Sequence, residues 1–286
     1  MSTPDRVRLA RRGLAIYFGV LLAGSAVLEG MLIAEEGPIE RHLSLVYLLM
    51  WTPAFASLVA RTLLREGLWD VSFRWGGREG TRAVLLGWLF PVGVGLLAYG
   101  AAWLAGLAVF QSPSIPDFAV LLIKMLILGT LLSALSAAGE EIGWRGYMLT
   151  RLIDSGVKKP VLVSGIVWGL WHVPLILGGK YASGPLPLVS AGIFLLDVVA
   201  AGYLAAWLRL RSGSVWPAIV FHASWNVIIQ GVFDRSTQGI SIWVGESGIL
   251  VALINVILVA RIVRGSWIVK RCPTDGEVAP LRLATA

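Results

Sequence analysis

Long apolar runs alternate with short polar segments along almost the whole chain. The runs cover residues 14-34, 43-64, 83-110, 118-144, 160-178, 187-208, 214-232 and 248-263. Because about 20 helical residues cross a hydrocarbon layer of about 30 Å, the pattern predicts about eight transmembrane helices. The fourth run continues amphipathically to about Arg151, which predicts a fourth helix that is long, tilted or broken near Gly139 and Gly143. The predicted fold class is therefore all-α, a polytopic membrane protein.

Composition strengthens this interpretation and adds an orientation. Hydrophobic residues make up 57% of the chain and charged residues 14%, and the mean hydropathy is +0.77, which is more apolar surface than a water-soluble core of this length buries. Most of the 24 Lys and Arg residues lie before the first run, in segments 61-82 and 145-159, around 209-211 and after residue 260. The connections between these basic segments hold only Arg41, Lys180 and Arg235. The positive-inside rule therefore places both termini in the cytoplasm and predicts a multi-pass protein of the cell membrane.

Domain organisation follows from the same pattern. Residues 1-264 form a single membrane-embedded domain, and residues 265-286, which show little periodicity, are predicted to be a disordered cytoplasmic tail. Segment 65-82 mixes tryptophans with charges and is interpreted either as lying on the cytoplasmic interface or as a plain solvated loop. The net charge of +7 does not indicate nucleic acid as a partner, because the basic residues lie between hydrophobic spans.

Three short segments place ionisable residues inside predicted spans. They read GEEIGWRG at 139-146, WGLWH at 168-172 and FHASWN at 221-226. Ionisable groups within a bilayer are costly and usually face a polar cavity, so they are functional candidates. With a rise of about 1.5 Å per residue, Glu140, His172 and His222 lie about 16, 18 and 14 Å from the cytoplasmic ends of their helices. We therefore expect three helices to deliver polar groups at one level of the membrane.

Helical spacing separates the two adjacent glutamates. Residues four apart share a helix face, so Glu141 is expected to pair with Arg145 and to have a structural role, while Glu140 points elsewhere and faces water. Gly139 and Gly143 form a GxxxG step, which lets another backbone approach this pair closely.

The other two segments repeat the four-residue spacing. His222 and Asn226 present an imidazole and an amide side by side, a suitable donor pair for a developing oxyanion. In the same way the indole of Trp168 is expected to pack against the ring of His172. Two weaker polar candidates, Asp197 and Asn255, are assigned mainly to hydrogen bonding between helices.

The order EE-xxx-R, aromatic-xxx-H and H-xxx-N on successive helices resembles the CAAX protease and bacteriocin-processing (CPBP) family of intramembrane glutamic endopeptidases. The resemblance covers about residues 118-232, and Trp168 stands where the family commonly has Phe. It implies a peptidase that cleaves a membrane-associated protein or peptide, with the scissile bond reaching the site from the cytoplasmic half of the membrane. It also implies roles for individual residues: Glu140 as the base that activates water, His172 as a group that orients it, His222 and Asn226 as the oxyanion donors, and Glu141 with Arg145 as support.

Three alternatives remain open at this stage. Two histidines and two glutamates are also a possible zinc-ligand set, although no HExxH helix is present and metal-free catalysis without a cofactor is favoured. A proton-coupled transporter is the second alternative, but the chain shows no internal repeat. A non-catalytic membrane adaptor is the third, and it does not require a complete set of catalytic motifs.

Overall fold

The computed structural model describes residues 3–182, 184, 186–239, 242–264, 269–271 and 281–283. In this part of the chain, each of the eight predicted apolar runs overlaps one helix, and the third run continues past its helix into the following connection. The helices are α1 Thr3–Ala34, α2 Leu43–Leu64, α3 Gly77–Leu104, α4 Ile115–Asp154, α5 Pro160–Leu177, α6 Pro187–Ser212, α7 at 216–234 and α8 Ile249–Ile262. Two short 3₁₀ turns, Ile39–His42 and Trp69–Val71, lie in the connections. Strand β1 (Val109–Phe110) pairs with β2 (Thr237–Gln238) in antiparallel register.

The predicted all-α polytopic membrane architecture is confirmed. Among the described residues, six helices, α1 to α6, are long and apolar enough to cross a membrane. Helix α8 has 14 residues, fewer than the about 20 that a full crossing needs. Helix α7 is interrupted by polar residues that face the interior of the bundle, as described below. The eight predicted runs therefore correspond to six complete candidate spans and two helices that are shorter or more polar.

Helix α4 is the long helix that the sequence predicted. It runs 40 residues without a break, from Ile115 to Asp154, and so continues past Arg145. Its α-helical course is interrupted by two wider π-helical turns, Met125–Gly129 and Trp144–Met148. Turns of this kind are frequent at functional sites because they change the direction in which neighbouring side chains point. The second one follows the two glutamates directly.

The connections between the helices group at two opposite ends of the bundle. Hydrogen bonds join connection 65–76 to connection 213–215, through Val215 N to Ser72 O at 3.0 Å and through the Ser72 hydroxyl to Gly213 O. We call this end, which also holds connection 155–159, the basic end. At the opposite end, Lys180 donates to the Glu35 and Gly37 carbonyls, and β1 pairs with β2. The opposite end thus holds connections 35–42, 105–114, 178–186 and 235–248.

The centre of the bundle is formed by α4 and α7. The 130–143 part of α4 packs against α2 and α7, and α7 also packs against α3. A Cβ atom on Gly139 would lie 2.7 Å from Met50 O, and one on Gly143 would lie 2.4 Å from the Pro53 carbonyl carbon. The expectation that the GxxxG step permits a close backbone approach is confirmed, and the partner is α2.

The predicted C-terminal tail, 265–286, lies mostly outside the described residues. Within it the structure describes Val269–Arg271 (β3) and Leu281–Leu283 (β4), which pair as antiparallel strands. Nearer the bundle, Asn255 of α8 donates to Asp197 Oδ1 of α6 at 2.7 Å. This bond confirms the helix-to-helix hydrogen bonding expected of these two residues.

Candidate active site

The carboxylate of Glu140 is held by two tryptophans. Its Oε2 accepts hydrogen bonds from the indole nitrogens of Trp144, at 3.1 Å, and Trp168, at 2.9 Å. Trp144 lies one turn along α4, whereas Trp168 comes from α5. Both donors bind the same oxygen, so Oε1 is directed elsewhere, and it lies 3.9 Å from Nε2 of His222. Glu140 is only 2% exposed, so its charge lies in an interior of low polarity.

Glu141 points about 100° away from Glu140 around α4, yet it reaches the same histidine. Its Oε1 accepts from Arg145 Nη1 at 2.7 Å and lies 2.9 Å from His222 Nδ1. The pairing of Glu141 with Arg145 agrees with their four-residue spacing. The carboxylate also fixes the ring of His222, because Nδ1 must carry a proton to donate to it, which leaves Nε2 facing Glu140.

His172 is fixed by its own helix and by a neighbouring aromatic ring. Its Nδ1 lies 2.9 Å from the Trp168 carbonyl one turn earlier, and its ring stacks on Tyr181 at a centroid separation of 5.5 Å. The indole of Trp168 meets the imidazole edge-on at 6.1 Å, as the spacing predicted. Trp168 does more than pack, however, since it also donates to Glu140 and supports the Arg145 guanidinium at 4.1 Å from its ring centroid.

A cavity of about 730 Å³ joins these groups. Glu140, His172, His222 and Asn226 all line it. The lining continues along α7 through Gln230 and Asp234, which extend the four-residue repeat that begins at His222. Only His222 and Asn226 were predicted from sequence, although the same four-residue spacing also marks Gln230 and Asp234. These polar residues lower the hydropathy of α7.

Glu246 is a cavity residue that the sequence analysis did not identify. It is buried at the cavity wall in connection 235–248, where its Oε1 accepts from the indole of Trp225 at 2.9 Å and its Oε2 from the Tyr181 hydroxyl at 2.5 Å. Burial raises the pKa of the Glu246 carboxyl, although the hydrogen bonds from Tyr181, Gln230 and Trp225 act in the opposite direction. Glu246 lies in a connection and outside any apolar run, so no intramembrane signal marked it.

The geometry also bears on a metal site. In the described part of the chain, no group of three or more His, Cys, Asp or Glu side chains is arranged to hold a metal ion. Two potential donors are already engaged: Glu140 Oε2 accepts from two indoles, and His222 Nδ1 is bonded to Glu141. Glu141 and His222 thus form a hydrogen-bonded pair of a carboxylate and an imidazole.

The structure brings all the predicted site residues into one cluster. Glu140, His172, His222 and Asn226 face the cavity, while Glu141, Arg145 and Trp168 lie behind them.

Comparisons with known proteins agree on the central helices. Residues 119–228 match the family model of the type II CAAX prenyl endopeptidase Rce1-like proteins. A curated relative, CAAX prenyl protease 2 of Methanococcus maripaludis, is 34% identical over 95 residues, which are 31% of this chain. The matched region spans 34% of that relative's length. The match contains every residue of the candidate active site named in the sequence analysis. Through its central helices, this chain is thus similar to the type II CAAX prenyl endopeptidases.

Proposed function

We propose that this chain is an intramembrane endopeptidase that hydrolyses a peptide bond of a membrane-associated protein or peptide. One observation carries the proposal: Glu140 Oε1 and His222 Nε2 face each other across 3.9 Å at the buried wall of the cavity. This distance is too long for a direct hydrogen bond, and we place the attacking water on the cavity side of the two atoms, within hydrogen-bond distance of both. A carboxylate within reach of such a water is a general base for hydrolysis.

In the first step, Glu140 activates the water. Its Oε2 is held by two indole donors, so the carboxylate does not rotate freely and Oε1 is available to take a proton. As the water oxygen forms a bond to the substrate carbonyl carbon, one of its protons moves to Oε1. His172 lines the same cavity and orients the water or the carbonyl group.

The oxyanion that forms needs donors in place beforehand. Two carboxylates, Glu140 and Glu141, share the interior with one guanidinium, Arg145, so an imidazolium at His222 balances the charge of the four groups. In that form Nδ1 donates to Glu141, and the Nε2 proton, together with the Asn226 amide, is directed to the oxyanion. Donors fixed in a dry site stabilise such a charge strongly, and loss of one typically costs a factor of about 10²–10³ in rate.

In the second step the tetrahedral intermediate collapses. The carbon–nitrogen bond breaks, and the proton held by Glu140 passes to the leaving nitrogen, which restores the carboxylate. One water is consumed and no covalent intermediate with the protein forms. Glu141 and Arg145 remain paired throughout and hold His222 in position.

The substrate class follows from the position of the site. The cavity lies among helices that cross the membrane, so the substrate is a protein or peptide already held at the bilayer, and we place the enzyme in the cell membrane. The curated relative is named a CAAX prenyl protease.

The test compares membranes that contain the wild-type chain with membranes that contain Glu140→Gln, a variant that keeps an oxygen acceptor for the two indoles. Peptide fragments found with the wild type should be missing with Glu140→Gln, and their intact precursors should accumulate. Glu79→Gln, which changes a partly exposed carboxylate at the basic end, is the matched control. Identical fragments with wild type and Glu140→Gln would refute the proposal.

A second arm separates metal-free hydrolysis from the zinc alternative. Once a peptide substrate is known, the purified chain is assayed with and without a strong chelator. Unchanged cleavage is the result that the hydrogen-bonded geometry predicts. Loss of cleavage with the chelator and its return with zinc would instead identify the same residues as metal ligands.

A further inference from the structure

The active-site cavity extends toward one end of the bundle only. From Glu140 its lining passes Gln230 and reaches exposed residues of the connections at the opposite end, Glu40, Arg235 and Gly239. The polar residues of α7 follow the same path, since Asp234, at the end of this helix, lies 12 residues beyond His222 and lines the same cavity. A continuous polar wall therefore leads from the site to the opposite end.

The basic end is closed by a buried network of charges, which we call the arginine cluster: Arg61, Glu66, Asp70, Arg151 and Arg209. Asp70 accepts from Arg61 at 2.6 Å and from Arg151 at 2.5 Å, and Arg151 also donates to Glu66 at 2.8 Å. Arg209 donates to the Asp70 carbonyl at 2.6 Å, which ties α6 to connection 65–76. Asp70 and the three arginines are each at most 6% exposed.

A second cavity at the basic end does not reach the active site. It measures about 390 Å³, and its lining includes Arg6, Arg65 and Arg151 but none of the residues that line the active-site cavity. Glu66, Asp70 and Arg151 of the arginine cluster line this second cavity, and no residue of the cluster lines the active-site cavity.

The uneven distribution of Lys and Arg residues indicates which side of the membrane each end of the bundle faces. The N-terminal segment and segments 61–82, 145–159 and 209–211, which include the helix ends at the basic end, carry most of the Lys and Arg residues, whereas the connections at the opposite end carry Arg41, Lys180 and Arg235. Under the positive-inside rule the basic end is cytoplasmic. The open cavity then faces the non-cytoplasmic side, which differs from the cytoplasmic access expected from sequence.

The two walls of the cavity indicate what passes through it. Asn226, Gln230 and Asp234 of α7 form a polar wall, while Leu43 and Val46 of α2 line another part of the cavity with apolar side chains. A polypeptide with one polar and one apolar face, held at the outer leaflet, would contact the polar wall with one face and the apolar wall with the other.

We propose that the substrates are amphipathic peptide segments that enter from the non-cytoplasmic side through the mouth formed by residues 35–42, 235–239 and 242–248. This inference rests on the proposed function of the site, but its first test does not require turnover. The substrate class is therefore membrane-bound polypeptide exposed outside the cytoplasm.

The first test measures which end faces outward. Single cysteines are placed in a background in which the one native cysteine, Cys272, is replaced by Ser. Glu40→Cys reports on the mouth and Lys158→Cys on the basic end, and both native residues are exposed. In spheroplasts that contain the full chain, a membrane-impermeant maleimide should label Glu40→Cys directly and Lys158→Cys only after permeabilisation. The reverse pattern, or labelling of Glu40→Cys only after permeabilisation, would overturn the proposal.

The second test follows the route inward. Gln230→Cys lies between the mouth and the site, so a charged thiosulfonate added outside should modify it and reduce peptide cleavage severalfold. Modification only in inside-out vesicles would contradict the route. Because the labelling pattern is independent of cleavage, a failed peptidase assay with outward labelling of Glu40→Cys would count against the proposed activity and not against the direction of access.

Discussion

At the scale of single residues, the sequence predicted the members of the site better than their contacts. Spacing four apart was sufficient to pair Glu141 with Arg145, because a helix places such residues on one face. The same rule assigned Trp168 only to the ring of His172, since the bond from its indole to Glu140 joins two helices and depends on their packing. Glu246 was missed because its partners, Tyr181 and Trp225, are contributed by other segments of the chain.

The contact between Trp168 and Glu140 makes a direct prediction. Trp168→Phe keeps an aromatic ring beneath Arg145 but removes one of two donors to the carboxylate. A lost hydrogen bond to a buried charge is worth about 1–3 kcal/mol, so we expect the cleavage rate to fall about 10- to 100-fold with little change in thermal stability. Trp88→Phe is the matched control, because it also removes an indole bond, to Leu126 O, away from the site. Equal losses in the two variants would refute a specific role for Trp168.

Substitution of Glu246 is expected to reduce turnover less, because Glu246 acts only on the position of His172. In Glu246→Gln one of the two donors, Trp225 or Tyr181, faces an amide NH₂ in place of an oxygen, which loosens Tyr181 and the His172 ring stacked on it. We expect the turnover number to fall about tenfold, which corresponds to about 1.4 kcal/mol, while the protein stays folded. The measurement is the turnover number and KM of the purified variant. A change confined to KM would assign Glu246 to substrate binding and not to positioning of His172.

At the scale of elements, α4 decides the geometry of the site. The sequence predicted a long helix because three polar groups had to reach one depth, and the observed helix ends at Asp154, past Arg145. The two π-helical turns within it were not predicted, since apolar periodicity does not distinguish a π turn from an α turn. The turn at Trp144–Met148 immediately follows the residues that line the site.

The close approach of α4 and α2 can be tested at Gly143. A methyl group there would overlap the backbone of Pro53, so Gly143→Ala should lower the free energy of unfolding by about 1–3 kcal/mol and displace Glu140. Gly192→Ala in α6 is the control, because a Cβ there meets no heavy atom within 4 Å. Thermal unfolding in detergent measures both variants. A Gly143→Ala protein as stable as Gly192→Ala would contradict the packing described.

At the scale of the whole molecule, the arginine cluster links α2, α4 and α6 to connection 65–76 at the basic end. Burial alone would raise the pKa of the Asp70 carboxyl, but the guanidiniums of Arg151 and Arg61 outweigh it and hold this pKa below its ordinary value. A lowered pKa in the folded state means that the ionised form contributes stability above the ordinary value of about 4. That contribution is lost as the pH falls through the lowered pKa.

Asp70→Asn should therefore be about 3 kcal/mol less stable than wild type at neutral pH, because it leaves buried arginines without their carboxylate. The difference between the two proteins should shrink as the pH falls below about 4, because the unfolded wild-type chain takes up a proton at Asp70 before the folded protein does. Thermal unfolding at pH 7 and pH 3 measures it. A difference that stays constant between these pH values would show that Asp70 does not act through its charge.

The central claim is that the carboxylate of Glu140 activates the water that cleaves the peptide bond. Its most direct test is the single-turnover rate constant for cleavage of a membrane peptide by purified wild-type and Glu140→Gln protein, each confirmed to be folded. We predict a decrease of at least about 10²-fold in the variant, in line with the contribution of a positioned general base. A Glu140→Gln protein that cleaves at the wild-type rate would contradict the account.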